Sequence, residues 1–371
     1  RQLVEHVQAL AESGIAVDQC NAYLEKGNDP AVTRQVSDDL LAAIENDNSH
    51  RPEVALTHCP FFHTACLSIL VKMLALCGTF VLVDKVDPAF ILSQIEKYRV
   101  TMMLMVPPLL YMRLYDSGLW KQHDLSSLRE AQFTGGKCSM DYVHKIFTMF
   151  PNCKLRPSYG STEVCASCSA VLSQAEFERR PELCKTVGRI NANCEMKLVD
   201  NDGNEVPVGE VGEGLVRSPS LFRGYIKNEE LNARVLRDGW FHTEDLLRRD
   251  EEGFYYLVDR KKDMIKTGGE NVYAQEVEDV LRNHPAVFDC ALIGVEDDRF
   301  GEAVAAAIVL NEGCELSDEE LIAYCRQNLP SYKKPRYVAF VDDLPHNVTG
   351  KIQKSVLREN SDRLFRPVRG L

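Results

Sequence analysis

The sequence predicts an α/β protein of two lobes: a large lobe of parallel βα units with a small β-barrel-like part, followed by a smaller α+β domain. Three observations carry this. From about residue 53 to residue 150, apolar helical stretches alternate with short β-rich runs, the texture of helices covering a parallel sheet. Residues 185–258 hold short strands broken by Asp202-Gly203, Gly209, Gly212 and Gly214, the pattern of a small antiparallel barrel or a distorted sheet. After Arg260, helices and strands mix in a compact run that ends the chain.

The elements follow in order. Val4, Val7 and Leu10 predict one short helix, and Leu40, Leu41 and Ile44 another; Glu45 to Pro52 is polar and turn-rich, a linker or surface loop. The large lobe is expected to run through a helix at 64–76, a strand at 79–83, a helix at 88–97, a strand at 101–106 and a helix at 108–115. A strand near 129–134, a helix at 139–149 and a strand at 154–156 complete it. In the small domain Val277, Val280 and Leu281 share one helical face, and Pro285 ends that helix. Strands at 289–294 and 303–310 follow. Ser317 with Glu320 forms a capping box that opens a helix to about 328, and a last strand covers 337–341.

Composition narrows the function. Hydrophobic residues at 45% and charged residues at 26% give a globular balance over 371 residues. A net charge of −12 speaks against a general grip on nucleic acid or an anionic membrane. The apolar stretch from Thr64 to Val83 is broken by Lys72 and Gly78, so no transmembrane segment is expected, and no signal peptide is visible. The 13 cysteines show no disulfide framework, which fits the reducing cytoplasm. Cys165 and Cys168 make a single C-x-x-C with no second pair to complete a zinc ribbon.

Four motifs carry chemistry. The first is Tyr159-Gly160-Ser161-Thr162-Glu163. Its glycine permits a tight turn, its hydroxyls can bond a phosphate, and its carboxylate can hold magnesium; an ordinary polar turn reads equally well. The second is Gly239-Trp240-Phe241-His242-Thr243-Glu244-Asp245, where an acidic residue after a strand suits a ribose diol. The third runs Val258-Asp259-Arg260-Lys261-Lys262-Asp263, then Gly268-Gly269-Glu270-Asn271. The fourth is Leu344-Pro345 followed by Thr349-Gly350-Lys351-Ile352, a lysine after a flexible glycine that can bring a point charge to a phosphate or oxyanion.

In order and spacing these four resemble the superfamily of acyl-CoA synthetases, peptide-synthetase adenylation domains and beetle luciferases, over about residues 54–358. The branch looks like the fatty-acid and 4-coumarate CoA ligases. The resemblance implies a ligase that joins a carboxylic acid, fatty or aromatic, to CoA at the expense of ATP through an acyl-adenylate. It implies ATP/AMP, CoA and Mg2+ as ligands. Thr162 would contact the α-phosphate and Glu163 would bind magnesium. Tyr159 would stack near adenine, and Gly135 and Gly136 resemble the pair lining the adenine pocket. Asp245 would hold the ribose hydroxyls with Arg260 beside it. Lys262 sits at the hinge of a mobile small domain, and Gly269 lies in the loop facing the pantetheine tunnel. Lys351 would stabilise charge during adenylation. His63, in Pro60-Phe61-Phe62-His63, matches a pocket position for the acid; a histidine packed beside aromatics is its alternative.

The resemblance breaks in two places. The family's Ser/Thr/Gly-rich loop ending in P-K-G, which cradles the β- and γ-phosphates, has no counterpart in residues 1–62. Gly135-Gly136-Lys137 does not replace it, since Ala131 and Cys138 fail the Walker pattern. Glu244 stands where the family usually has glycine, and a negative side chain there is expected to weaken nucleotide binding. The expected organisation is a divergent or remnant segment 1–52, a partial AMP-binding lobe 53–260 and a C-terminal domain 261–371. Adenylation is expected to be impaired, and a protein partner is expected to cover the incomplete lobe. The alternative is a non-catalytic, truncated relative that binds adenylate or a partner.

Overall fold

The structure, a computed structural model, describes residues 53–106, 109–134, 138–347 and 351–368. The helices expected near Val4 and Leu40 lie outside the described residues, as do Gly135 and Gly136. The described chain forms two units. The first takes residues up to Lys197, Leu215–Thr243 and Arg249–Tyr256; the second takes Leu198–Gly214, Glu244–Arg248 and Leu257 onward.

In the first unit β1 (Val54–Thr57), a strand the sequence reading did not assign, precedes α1 (Thr64–Ala75), β2 (Thr79–Leu82), α2 (Pro88–Tyr98), β3 (Met102–Met105), α3 (Leu109–Asp116), β4 (Glu130–Phe133), α4 (Met140–Met149) and β5 (Lys154–Ser161), which alternate as predicted. Strands β2-β1-β3-β4-β5 pair in that order, all parallel. Local chemistry sets the boundaries. Asp87 caps α2 by accepting from Phe90 N–H at 2.8 Å, and Pro88 takes the first helical position, where no N–H is needed. Ser139 caps α4 through Tyr142 N–H at 3.2 Å.

Strand alternation sorts the core into two faces. Leu56, Met103, Met105, Ala131 and Phe133 pack with the helical residues Ile91, Leu92, Ile95, Val143, Ile146 and Phe147. Ala55, Met102 and Leu104 pack on the other side with Cys66, Ile69 and Met73 of α1. Tyr111 is fully buried, and its hydroxyl sits 2.9 Å from the Met103 carbonyl and 2.8 Å from that of Gln132, bridging β3 and β4.

Strand β5 runs longer than the sequence predicts. The expected strand stopped at residue 156, yet β5 extends to Ser161 because β6 (Cys165–Ser169) pairs antiparallel with it, Tyr159 opposite Cys168 and Ser161 opposite Cys165. After β6 come α5 (Gln174–Arg179), opened by an unpredicted capping box of Ser173 and Glu176, and β7 (Gly188–Ile190). Then follow β8 (Glu195–Val199), β9 (Val211–Arg217), α6 (Glu229–Val235), β10 (Leu236–Arg237), β11 (Trp240–Arg249) and β12 (Phe254–Arg260). Of the two readings of 185–258, the distorted sheet holds: the strands continue the order as β6-β7-β12-β11-β9-β8, with β10 on β11, and the division into units runs through them.

The second unit carries β13 (Ile265–Thr267), β14 (Glu270–Val272), α7 (Ala274–Arg282), β15 (Val287–Asp297), β16 (Gly301–Leu310), α8 (Asp318–Asn328), β17 (Tyr337–Phe340), α9 (Lys354–Glu359), α10 (Ser361–Leu364) and β18 (Arg366–Pro367). Its sheet runs β14-β13-β16-β17-β18, with β15 on β16. The capping box of Ser317 and Glu320 forms as predicted. The hairpin of β15 and β16 extends past its expected ends because Asp297 Oδ1 accepts from the N–H groups of Arg299 and Phe300, both at 3.0 Å, and closes the turn tightly. Val277 and Leu281 of α7 and Leu321 and Cys325 of α8 cover one face of the sheet; Leu344, Leu357 and Phe365 cover the other.

Gly160 is fixed by close approach. A Cβ there would lie 1.9 Å from the Cys165 carbonyl oxygen and 2.8 Å from Ala166 Cα. Gly160→Ala must therefore push β6 away, at a cost of about 2–3 kcal/mol. Thermal denaturation without ligand should show a lowered melting temperature; an unchanged one would mean that the β5–β6 pairing yields freely.

Candidate active site

The predicted site residues fall into two groups, one in each unit. In the first unit, Thr162 and Glu163 turn the chain from β5 into β6. Thr64 Oγ1, at the start of α1, donates to Thr162 Oγ1 at 3.2 Å, leaving that hydroxyl at the surface. Glu163 is held twice: its carbonyl accepts from Phe222 N–H at 2.7 Å, and its Oε1 accepts from the Tyr225 hydroxyl at 2.8 Å. Behind it Phe222 meets Tyr225 and Phe241 edge-on, at 4.9 and 5.5 Å between ring centres. A phenol donor leaves the carboxylate its charge while fixing its direction. Tyr159, on β5, is buried.

His63 caps α1: its Nδ1 accepts from Ala65 N–H at 3.1 Å. Phe61 and Phe62 beside it are exposed.

In the second unit Asp245 lies on β11 and Arg260 ends β12. Arg260 Nε is 3.5 Å from Asp245 Oδ1, with the aspartate largely shielded and the arginine open to water. Lys261 N–H donates to the Glu244 carbonyl at 2.8 Å, which locks the two segments side by side. Lys351 stands close enough to both charged groups to feel them. Its ammonium is pushed below the ordinary lysine value, first by crowding away from water and then by the positive charge of Arg260, while Asp245 acts in the opposite sense. Lys351 is tied to Asn347: its N–H donates to Asn347 Oδ1, and its carbonyl accepts from Asn347 N–H, both at 2.9 Å. A lowered ammonium beside a carboxylate and a guanidinium suits a mixed-charge ligand such as a nucleotide, whose ribose donates and whose phosphate accepts.

Lys262 lies in the turn after β12, where the Arg260 carbonyl accepts from Asp263 N–H at 2.9 Å. Gly269 and Gly268 form the two-residue turn between β13 and β14, with φ of 86° and 59°, values that glycine adopts without cost. Glu244 has φ 57°, in the left-handed region, although it carries a side chain. The glycine usual at that position in the resembled family thus has a backbone reason.

Three residues of this neighbourhood escaped sequence reading: Tyr225, which orients Glu163, and Lys354 and Arg358, which reach back to the segment around Arg260. Tyr225 is 62 positions from Glu163, and no spacing rule joins them. Lys354 and Arg358 sit one helical turn apart just after Lys351, a signal that was available.

Comparison with known proteins now places this geometry. The profile of the AMP-binding enzyme family matches residues 32–226, just over half of the chain, and that of the AMP-binding enzyme C-terminal domain matches residues 276–351. The chain belongs to the AMP-binding enzyme family. Feruloyl-CoA synthase of Amycolatopsis sp is 38% identical over 307 residues, which span 82% of this chain and 61% of that protein. Among solved structures, the amide bond synthetase McbA from Marinactinospora thermotolerans is 33% identical with a TM-score of 0.73, covering 86% of this chain and 64% of its own. ATP-bound MatB from Rhodopseudomonas palustris is 28% identical with a TM-score of 0.76, covering 88% of this chain and 64% of its own. The chain therefore spans less than two thirds of each of these three proteins. Its mixed α/β fold, a large sheet followed by a smaller C-terminal part, is that of adenylate-forming enzymes. No helix among the described residues is long and apolar enough to cross a membrane.

The left-handed backbone at Glu244 gives a test independent of ligand. An L-residue held there costs roughly 1–2 kcal/mol relative to glycine. Glu244→Gly should raise the midpoint of denaturant unfolding by a part of that gain, the looser unfolded chain of the glycine variant offsetting the rest; a loss of stability would show that the glutamate side chain contributes more than its backbone costs.

Proposed function

We propose that this chain does the work of an acid–CoA ligase whose adenylation is impaired for want of a phosphate loop in residues 1–62: carboxylic acid, ATP and CoA go to acyl-CoA, AMP and pyrophosphate. The observation that carries the reading is the gathering of Asp245, Arg260 and Lys351 in one unit. In the first step a carboxylate oxygen attacks the α-phosphorus and the bond to pyrophosphate breaks. In the second the CoA thiolate attacks the acyl carbon and the bond to AMP breaks. Asp245 accepts from the ribose hydroxyls, with Arg260 holding its carboxylate in place. Lys351 donates to the negative charge that builds on the phosphate and acyl oxygens in the first step. Thr162 donates its hydroxyl to the α-phosphate and Tyr159 faces the adenine; Gly135 and Gly136, outside the described residues, are assigned to the adenine by their resemblance to the family's glycine pair.

Magnesium fits the first group of residues. Glu163 offers a carboxylate oriented by a neutral phenol, and one carboxylate with substrate phosphates and water is an ordinary magnesium shell. The ion would be held by Glu163 and would offset phosphate charge. Lys262 serves as the hinge about which the small domain turns between the two steps, bringing the Gly269 loop to the pantetheine arm of CoA. His63 lies at the acid pocket. The acid itself we take to be aromatic or fatty, an assignment that the name of the feruloyl-CoA synthase relative supports. A reducing compartment, the cytoplasm, suits the free cysteines of the described residues. Phe62 and Leu74 are exposed apolar side chains of the kind that a protein partner would cover.

Two variants test the roles. Lys351→Ala should slow acyl-adenylate formation by roughly 100–1000-fold while sparing thioester formation from a supplied aryl- or acyl-adenylate; equal losses in both half-reactions would sink the assignment. Asp245→Ala should abolish AMP binding in isothermal titration and leave the melting temperature of the ligand-free chain unchanged. A steep fall in that temperature would make Asp245 a structural residue. If the unaltered chain binds neither AMP nor an acyl-adenylate analogue, the non-catalytic reading takes over.

A further inference from the structure

Helix α9 begins three residues after Lys351, and its charged side chains reach back toward the segment on which Arg260 sits. Lys354 Nζ is 2.8 Å from Glu278 Oε1, a carboxylate only 3% exposed, and the same oxygen accepts from Leu292 N–H at 2.8 Å. The Asp259 carboxylate is buried nearby. Burial pushes its pKa up, and the charge of Lys354 is the largest influence holding it down. Asp259 Oδ1 accepts from Arg260 N–H at 2.8 Å, and Oδ2 accepts from Gln275 N–H, near the start of α7, at 3.4 Å. One turn along α9, Arg358 Nη2 donates to Asp263 Oδ1 at 2.6 Å and lies 3.3 Å from the Lys262 carbonyl. Residues four apart on a helix share a face, so Lys354 and Arg358 leave α9 on one side, the first toward Glu278 and the second toward Asp263.

An exposed ion pair contributes little by itself. These are different: Glu278 is buried, Asp263 is mostly shielded, and each pair includes a further backbone partner. A rigid helix whose start is tied to Glu278 and whose last turn is tied to Asp263 leaves Lys351, three residues upstream, a short tether. Misplacing a reacting group by about 1 Å can cost on the order of 100-fold in rate.

We propose that α9 is a strut that sets Lys351 beside Arg260 and Asp245, with Lys354 and Arg358 as its positioning residues. This rests on the reading of Lys351 as the charge-stabilising lysine of adenylation. Arg358 is the better handle, because removing Lys354 strands the buried Glu278 without its partner.

The experiment measures Lys351 directly. The full chain is labelled with acetic anhydride across a range of pH, and the peptide carrying Lys351 is quantified by mass spectrometry. Lys351 should label with a midpoint below that of ordinary surface lysines. In Arg358→Ala the midpoint should move up toward the ordinary value, as Lys351 swings away from Arg260, with circular dichroism unchanged. Asp263→Asn removes the same pair from its other end and should move the midpoint the same way, which keeps the test intact if Arg358→Ala does not fold. A midpoint unmoved in a folded Arg358→Ala or Asp263→Asn chain overturns the strut. The underlying reading fails separately: if Lys351→Ala impairs both half-reactions equally, Lys351 loses its role in adenylation, whatever the labelling shows.

Discussion

The hydrogen bond from Lys261 N–H to the Glu244 carbonyl is the constraint on which the second site group depends. It fixes the register between the end of β12 and the middle of β11, and so places Asp245 against Arg260. Neither of those two residues would hold the other alone. Arg260 is more than half exposed, and a 3.5 Å contact between an open guanidinium and a carboxylate is weak in water. The backbone bond brings the charges together, and their proximity then defines the electrostatic field that Lys351 experiences. Lys261 adds to the same lock through its side chain, whose ammonium lies 2.8 Å from the buried carboxylate of Glu213.

Beneath that register the second unit buries charge. Glu278, Asp259 and Lys354 lie within one region, and Arg282 extends it to Asp289 at 2.9 Å. Buried ion pairs are seldom a net gain in stability, since desolvation offsets most of the attraction, but breaking one from a single side is costly. Their effect is to forbid alternatives: α7, α9 and the end of β12 can pack together in the arrangement that pairs every charge, and slipping any of them leaves a carboxylate unmatched.

Much of this was legible in the sequence, and the misses share a cause. Helix boundaries set by local chemistry came out within a residue or two: Asp87-Pro88 before α2, Ser139 before α4, the Ser317–Glu320 box before α8. Strand lengths came out short where a partner distant in sequence extends them, as β6 does for β5 and as the tight Asp297 turn does for β15 and β16. The motif residues were found because their types and order carry chemistry. Tyr225 was not, because a tyrosine hydroxyl aimed at Glu163 leaves no trace in spacing or composition. His63 shows a different limit: its half-turn position before α1 reads as a cap only once Ala65 N–H is seen pointing at its ring.

Two left-handed residues, Cys165 and Glu244, bear on how such a site is maintained. Cys165 opens β6 two residues after Glu163, and Glu244 precedes Asp245, so each lies within two residues of one assigned to ligand. Backbone strain of this kind persists only where the surroundings over-determine it. At Glu244 the cause is visible: its carbonyl must meet Lys261 N–H while the next side chain turns toward Arg260. Glycine would meet both demands with no strain but would bring a looser unfolded chain, which offsets part of the relief. A glutamate meets them at the expense of strain and adds a negative charge beside the carboxylate assigned to ribose. The strain therefore reports the register that places Asp245 against Arg260, and the side chain at that position sets how much negative charge stands beside Asp245.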